Sequence, residues 1–320
     1  MMISARDNPS CKVAPSSVLK STRIFLVSCS IILLYCWKTH GVSKWRDSTG
    51  LPQPVLSCDR LGLPQENIPL PPQAYTFSRG TSANFVLGIL DMEPPVFLAL
   101  PRFFSKRIDE TTGKFSEAGN SKDIINRASK GEPSDGVFID VGGWIGDSSF
   151  PSAALGFDTY VFEPVRYNVD LMHVALTTNN CTISEHLLIV NALVGQYDGQ
   201  SSVYVSSRAD NSAASKKQAT LNVGESDVDF EQSVAMIRLD SFFPPGTKAQ
   251  NLKIDVQGNE LSVLRGAERL LKENKGRLRV RFEYHEKLLR ASNTDPQELI
   301  RYMTSLGYRV VSKGEDVDME

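Results

Sequence analysis

Metal sites have little to build on in this chain. No two of its five cysteines stand in C-x-x-C spacing and its four histidines are scattered, so no zinc site can be read from the pattern. Of Cys11, Cys29, Cys36, Cys58 and Cys181, only the last two lie beyond an apolar N-terminal run. They could form one bridge in an oxidising compartment or remain two free thiols. An excess of positive charge is missing too. The formal net charge is −2, which offers a polyanion no broad attraction, so nucleic-acid substrates are disfavoured. No internal repeat is visible. The hydrophobic fraction of 41% and charged fraction of 22% are those of an ordinary globular protein, and 320 residues suffice for one large domain or two small ones.

A long apolar run is also lacking. The N-terminal candidate, "IFLVSCSIILLYCW" between Arg23 and Lys38, has fourteen uncharged residues. As a helix it would reach about 21 Å, short of a ~30 Å hydrocarbon core. A signal-anchor, with Lys20, Arg23 and Lys38 snorkelling and Tyr35 and Trp37 at the interface, is the preferred reading. A cleaved signal peptide and a buried helix of a soluble domain are the alternatives. Pro52, Pro54, Pro64, Pro69, Pro71 and Pro72 follow, a composition that suits a semi-rigid stem or a surface-hugging loop. The short leader and large C-terminal remainder suggest a lumenal domain, in which Asn180, Cys181 and Thr182 would form a glycosylation acceptor.

From Val137 onward, strands and helices alternate. "GVFIDV", "DTYVFEP", "EHLLIVNALVG", "NLKIDV" and "RLRVRFEY" read as strands, separated by helical stretches such as "RYNVDLMHVALTTNN" and "NELSVLRGAERLLKEN". A helix starting at Pro296 and a last strand "YRVVSK" complete the pattern. This predicts an α/β fold with a mostly parallel central sheet and helices on both faces. "SSVYVSS" and "SVAMIRLDSFF" look like a pair of strands joined by a long polar linker, either a mobile loop near substrate or disordered surface.

Ligands of open parallel sheets bind at the carboxyl ends of the strands. There the sequence places Asp140, Glu163, Asn191, Asp255 and Glu283, one per strand. "VFIDVGGWIGDSSF" adds a glycine turn with Gly142, Gly143 and Gly146. A turn followed by an acid suits a dinucleotide or S-adenosylmethionine, and Glu163, 23 residues after Asp140, has the spacing of a ribose-binding carboxylate in either. The spacing is G-G-x-x-G rather than G-x-G-x-x-G. Asp140 and Asp147 would repel a pyrophosphate by about 3 kcal/mol for a charge pair ~5 Å apart, whereas they would attract an ammonium and a sulfonium. The methyl donor fits better.

"FIDVGGWIG", "YVFEP", "IRLDSF", "LKIDVQGNELSVLRGAERLL" and "RFEYHE" resemble the successive motifs of FkbM-type methyltransferases over about residues 135–310. The resemblance implies a Rossmann-like class I fold, S-adenosyl-L-methionine as cofactor and O-methylation of a sugar, glycan or small molecule. It further implies that Asp140 and the backbone of Gly142, Gly143 and Gly146 hold the methionine end, with Glu163 on the ribose and Asn191 beside the adenine. Asp255, Glu260, Glu283 and His285 become the acceptor-side candidates. His285 suits a base because histidine ordinarily titrates near 6.5, yet it equally suits a surface position; Glu260 could simply favour its helix N-terminus. The N-P-P-Y motif of amine methylation is absent, "DVQG" standing in its place.

Two motifs depart from the family pattern. Gly143 and Trp144 replace Ala-Asn in D-V-G-A-N-x-G, and an indole there could line the cavity or partly block it. Gln257 replaces the first Glu of D-x-E-G-x-E. Together they keep open a membrane-anchored, catalytically silent binding protein. The expected organisation is a tail (1–23), an anchor (24–37), a stem (38–75), an extension or lid (76–131), the methyltransferase domain (132–313) and an acidic tail (314–320). The expected location is a Golgi or endoplasmic-reticulum membrane, with the C-terminal domain in the lumen.

Overall fold

The computed structural model describes residues 75–79, 81–90, 95–101, 136–179, 181–205 and 230–320, with positions 92, 108, 114, 216 and 217 between them. The apolar run 24–37, the proline-rich stretch up to Ala74 and Asn180 lie outside the described residues, as does most of the polar linker 206–229. Among the described residues no helix is long and apolar enough to cross a membrane.

Three antiparallel strands come first, β1 (Tyr75–Arg79), β2 (Thr81–Leu90) and β3 (Val96–Pro101). Then follow β4 (Val137–Val141), α1 (Ser149–Ala154), β5 (Thr159–Phe162), α2 (Arg166–Thr178), α3 (Cys181–His186) and β6 (Leu187–Val190). A second small sheet holds β7 (Leu193–Val194), β8 (Gly199–Val205), β9 (Lys216–Lys217) and β10 (Phe230–Ile237). The chain continues through α4 (Leu239–Phe242), β11 (Ala249–Ile254), α5 (Glu260–Arg265), α6 (Glu268–Glu273), β12 (Arg279–Glu283), α7 (Glu286–Ala291) and α8 (Pro296–Ser305). Strands β13 (Val310–Lys313) and β14 (Asp316–Met319) end the series.

The main sheet has seven strands in the order β13-β14-β12-β11-β4-β5-β6. The pairs from β12 to β6 are all parallel, while β14 runs antiparallel to both its neighbours. Strand alternation feeds two cores. Val137, Ile139 and Val141 of β4 join Tyr160 and Phe162 of β5 in a core closed by Phe242, Leu264, Leu271 and Met303. Val161, from the opposite face of β5, joins Phe150 of α1 and Met172 and Ala175 of α2. Helices therefore cover both faces, and the Rossmann-like class I architecture holds.

Several local expectations change. The stretch read as one helix from Asn259 to Asn274 is two, α5 and α6, with Gly266 between them. A Cβ on Gly266 would lie 2.0 Å from the Gly195 carbonyl oxygen, so only glycine lets the two backbones meet. "SVAMIRLDSFF" pairs with β8 as expected, but its second half turns into helix α4 after Arg238. Of the third strand, read from Glu185 to Gly195, the first two residues end helix α3 and only Leu187–Val190 enter the main sheet.

The stretch 76–131 does not read as a lid where it is described. Leu98 and Leu100 of β3 pack in the core with Phe150 and Met172. Asn179, just past α2, accepts a hydrogen bond from the Phe97 amide at 2.9 Å and donates to the Phe97 carbonyl at 2.7 Å.

Nor do residues 314–320 form a loose acidic tail. Val317 and Met319 are fully buried from β14, while Asp318 faces Arg281 across the β12 register at 2.7 Å. The acidic composition conceals a period of two that places both apolar residues in the core. Met319→Ala is therefore expected to destabilise the protein by about 2–5 kcal/mol in urea unfolding; an unchanged midpoint would return these residues to a tail.

Candidate functional site

The carboxyl ends of β4, β5 and β11 open onto a cleft. Its floor is made by the turn after β4. Gly142 has φ of 82°, and a Cβ there would lie 1.8 Å from the Asp255 carbonyl oxygen. Glycine is thus required for the β4 turn to pass the end of β11. Gly142 lines the cleft; Gly143 packs beneath Val161 and Gly146 against Phe150, and neither reaches it.

Asp140 is wholly buried behind this floor and does not line the cleft. It accepts from the Ser149 hydroxyl at 2.5 Å and pairs with the Lys253 ammonium at 3.3 Å. Lys253 does line the cleft, and Asp255 lies 3.9 Å from its nitrogen. Burial alone would depress the lysine pKa, but Asp140, Asp255 and Asp147 together hold it above its ordinary value. Burial pushes the neighbouring Asp147 carboxyl up to about 6, with Asp140 and Asp255 adding to the rise and Lys253 opposing it.

The end of β5 forms a second wall. Glu163 accepts from the amides of Val165 at 2.9 Å and Trp144 at 3.0 Å, and from the Asn168 side chain at 3.1 Å. Burial pushes its carboxyl up to about 7, against these hydrogen bonds. Trp144 lines the cleft with a φ of 48°. Asparagine, which the family pattern places here, tolerates this left-handed conformation better than tryptophan does. The bond to Glu163 helps to hold the strained turn. Asn191 plays a different part from the one expected. Its side-chain nitrogen donates to the Glu163 and Pro164 carbonyls, both at 2.9 Å, and it does not line the cleft.

The end of β11 supplies the third wall. Gln257 (φ 54°) donates from one side-chain nitrogen to Asp255 and to Glu283, each at 3.0 Å. Asp255 and Gln257 line the cleft, and Glu283 stands behind them. Burial pushes the Glu283 carboxyl up to about 8, reinforced by Asp255 and Glu260. Glu260, 1% exposed, accepts from the amides of Val256 at 3.2 Å and Gly258 at 2.9 Å. It clamps the turn rather than facing the cleft. His285 takes the surface position that the sequence left open beside the base role. Arg279, Arg281 and Glu283 do share a face of β12, but the strand ends at Glu283. His285 is exposed at the start of α7, where its ring accepts from the Leu288 amide at 3.4 Å.

The methyltransferase FkbM domain matches residues 140–310, just over half of the chain. The chain belongs to the FkbM methyltransferase family. As a member it is an S-adenosylmethionine-dependent methyltransferase. Solved structures that the chain matches include a precorrin-6y C5,15-methyltransferase from Geobacter metallireducens GS-15, at 10% identity and a TM-score of 0.34, covering 68% of this chain and 93% of that one. Another is the glycopeptide N-methyltransferase MtfA, at 9% identity and 0.34, covering 63% and 90%. A third is a Pyrococcus abyssi tRNA (uracil-54, C5)-methyltransferase, at 12% and 0.34, covering 76% and 48%. Likeness at this level says nothing about the acceptor. No curated protein matches.

The cleft of this FkbM methyltransferase fits the cofactor chemically. The buried Asn168 side-chain oxygen, 2% exposed as a residue, has no hydrogen-bond partner among the described residues, and it sits beside Glu163 in the same wall. Two acceptors at one strand end suit the hydroxyl donors of a ribose. Lys253 and Asp147 offer both charges to an amino acid moiety. Asn168 and Lys253 escaped the sequence reading. A lysine inside an apolar parallel strand was the available signal for one; Asn168, in a helix with no motif, left none.

The raised carboxyls carry a pH signature. An acid held above its unfolded pKa stabilises the folded state most below that unfolded value, and the contribution is lost as pH rises through the folded one. For Glu260 the window runs from 4.5 to about 7. Glu260→Gln should therefore melt near the native chain at pH 5 and above it at pH 8. Equal melting temperatures at both pH values would deny the buried charge.

Proposed function

We propose that this FkbM methyltransferase methylates a hydroxyl oxygen of a sugar, free or in a glycan, or of another small hydroxylated molecule. One observation carries the reading: Asp255, on the cleft wall, is joined through Gln257 to Glu283, whose carboxyl is pushed up to about 8. A hydroxyl acceptor must lose its proton as it is methylated, and a positioned base adds roughly 10²- to 10⁴-fold.

Bound S-adenosylmethionine supplies an electrophilic methyl group. Glu163 and the Asn168 oxygen hold the ribose side, and Gly142 keeps the floor clear. Asp255 faces the acceptor and takes its proton. Gln257 fixes the Asp255 carboxylate in place, because its side-chain nitrogen already spans 3.0 Å to each acid. Alignment of acceptor and donor contributes much of the remaining rate. Gln257 thereby gains a role that an uncharged residue can fill. The net charge of −2 favours a small acceptor over a nucleic acid.

The fourteen uncharged residues 24–37, flanked by Arg23 and Lys38, support an N-terminal membrane anchor, and the prolines that follow support a stem that carries the catalytic domain into the lumen. Protease protection of intact microsomes checks this: a catalytic domain digested without detergent overturns it.

Asp255→Asn is expected to lower turnover about 10²- to 10⁴-fold, with calorimetric affinity for S-adenosylmethionine near native. Acceptor screening with a labelled methyl donor completes the test. Native turnover in the variant, or methylation of amines and of no hydroxyl, sinks the assignment.

A further inference from the structure

Building on the cofactor assignment, we propose that Lys253 receives the α-carboxylate of S-adenosylmethionine, and so makes the cleft select the whole amino acid moiety over other adenosyl sulfonium compounds. The argument begins with where the two partners of the buried ion pair sit. Asp140 and Lys253 lie opposite each other in the β4–β11 register, on the face that packs against α1. Asp140 is sealed behind the floor, whereas Lys253, though only 8% exposed, forms part of the cleft wall. A lysine that did no more than neutralise Asp140 would have no need of that surface.

Hydrogen-bond capacity points the same way. An ammonium carries three donors. One is directed to Asp140 at 3.3 Å; Asp255, at 3.9 Å, is an electrostatic neighbour beyond hydrogen-bond length. Among the described residues, donor capacity therefore remains for a ligand in the cleft that Lys253 lines.

Charge placement adds a third line. Among the described residues lining the cleft, Asp147, Glu163 and Asp255 are acidic and Lys253 is the cation. A wall of acids alone would welcome any sulfonium. One cation next to Asp147 instead matches a zwitterion, ammonium toward the aspartate and carboxylate toward the lysine. A ligand without the carboxylate would strand buried N–H groups, and sites built to bond a polar group reject analogues that lack it.

The test is calorimetry on the full chain in detergent with two probes, S-adenosylmethionine and its decarboxylated analogue, which keeps the ammonium and the sulfonium. The native protein is expected to prefer S-adenosylmethionine by about 10- to 100-fold, the range of a charge-assisted hydrogen bond. Lys253→Met should abolish the preference, chiefly by weakening the larger ligand. Because that variant leaves Asp140 without its counter-charge, the pair Asp140→Asn/Lys253→Met is measured beside Asp140→Asn alone. Any contact of Asp140 with the ammonium cancels in the ratio, since both probes carry it. Equal affinities in the native protein, or a preference that survives removal of Lys253, overturns the proposal. If the native chain binds neither probe, the cofactor reading falls and takes this proposal with it.

Discussion

The Lys253 ammonium, 3.3 Å from Asp140 and 3.9 Å from Asp255, is the contact on which the rest of the site depends. It joins the carboxyl ends of two adjacent parallel strands, β4 and β11, where three acids would otherwise crowd together in a poorly solvated space. Removing a charge from water is costly, and breaking a buried pair strands the survivor. The glycine turn, the position of Asp255 and the polarity of the floor all presuppose that this cation stays in place. A rim read as purely negative is in fact a negative rim built around a positive centre.

The two departures from the family pattern have a common structural setting. Trp144 and Gln257 both have positive φ, at 48° and 54°, in turns that follow neighbouring strands. Each is held by a hydrogen bond to a wall acid: the Trp144 amide to Glu163, the Gln257 side chain to Asp255 and Glu283. Backbone strain of this kind persists when surrounding contacts over-determine it, and it gathers at functional sites. A glutamate at 257 would bring a third carboxyl to the same few ångströms, where an amide brings two donor hydrogens.

Much of the sheet was legible because its strands are short apolar runs that end in a polar residue and a turn. Asp140, Glu163 and Asp255 follow from that pattern, and the last two line the cleft. What the sequence hid has physical reasons. Asp140 occupies the expected strand end yet is turned away by its pairing with Lys253. Asn191 and Glu260 spend their side chains on neighbouring backbone groups, an outcome that depends on three-dimensional loop paths. His285 shares the parity of Glu283, but parity fails once the strand stops and a helix begins. Asp316 to Met319 alternated polar and apolar all along, masked by the surrounding acids.

The place of β14 in the sheet bears on how the molecule assembles. Strand β13 is emitted before β14, but its neighbour in the sheet is β14 and not β12. Val310–Lys313 therefore join the main sheet only through β14, as the outer strand of a hairpin whose inner strand pairs with β12. Val310–Lys313 thus owe their place at the edge to residues that come after them in the chain.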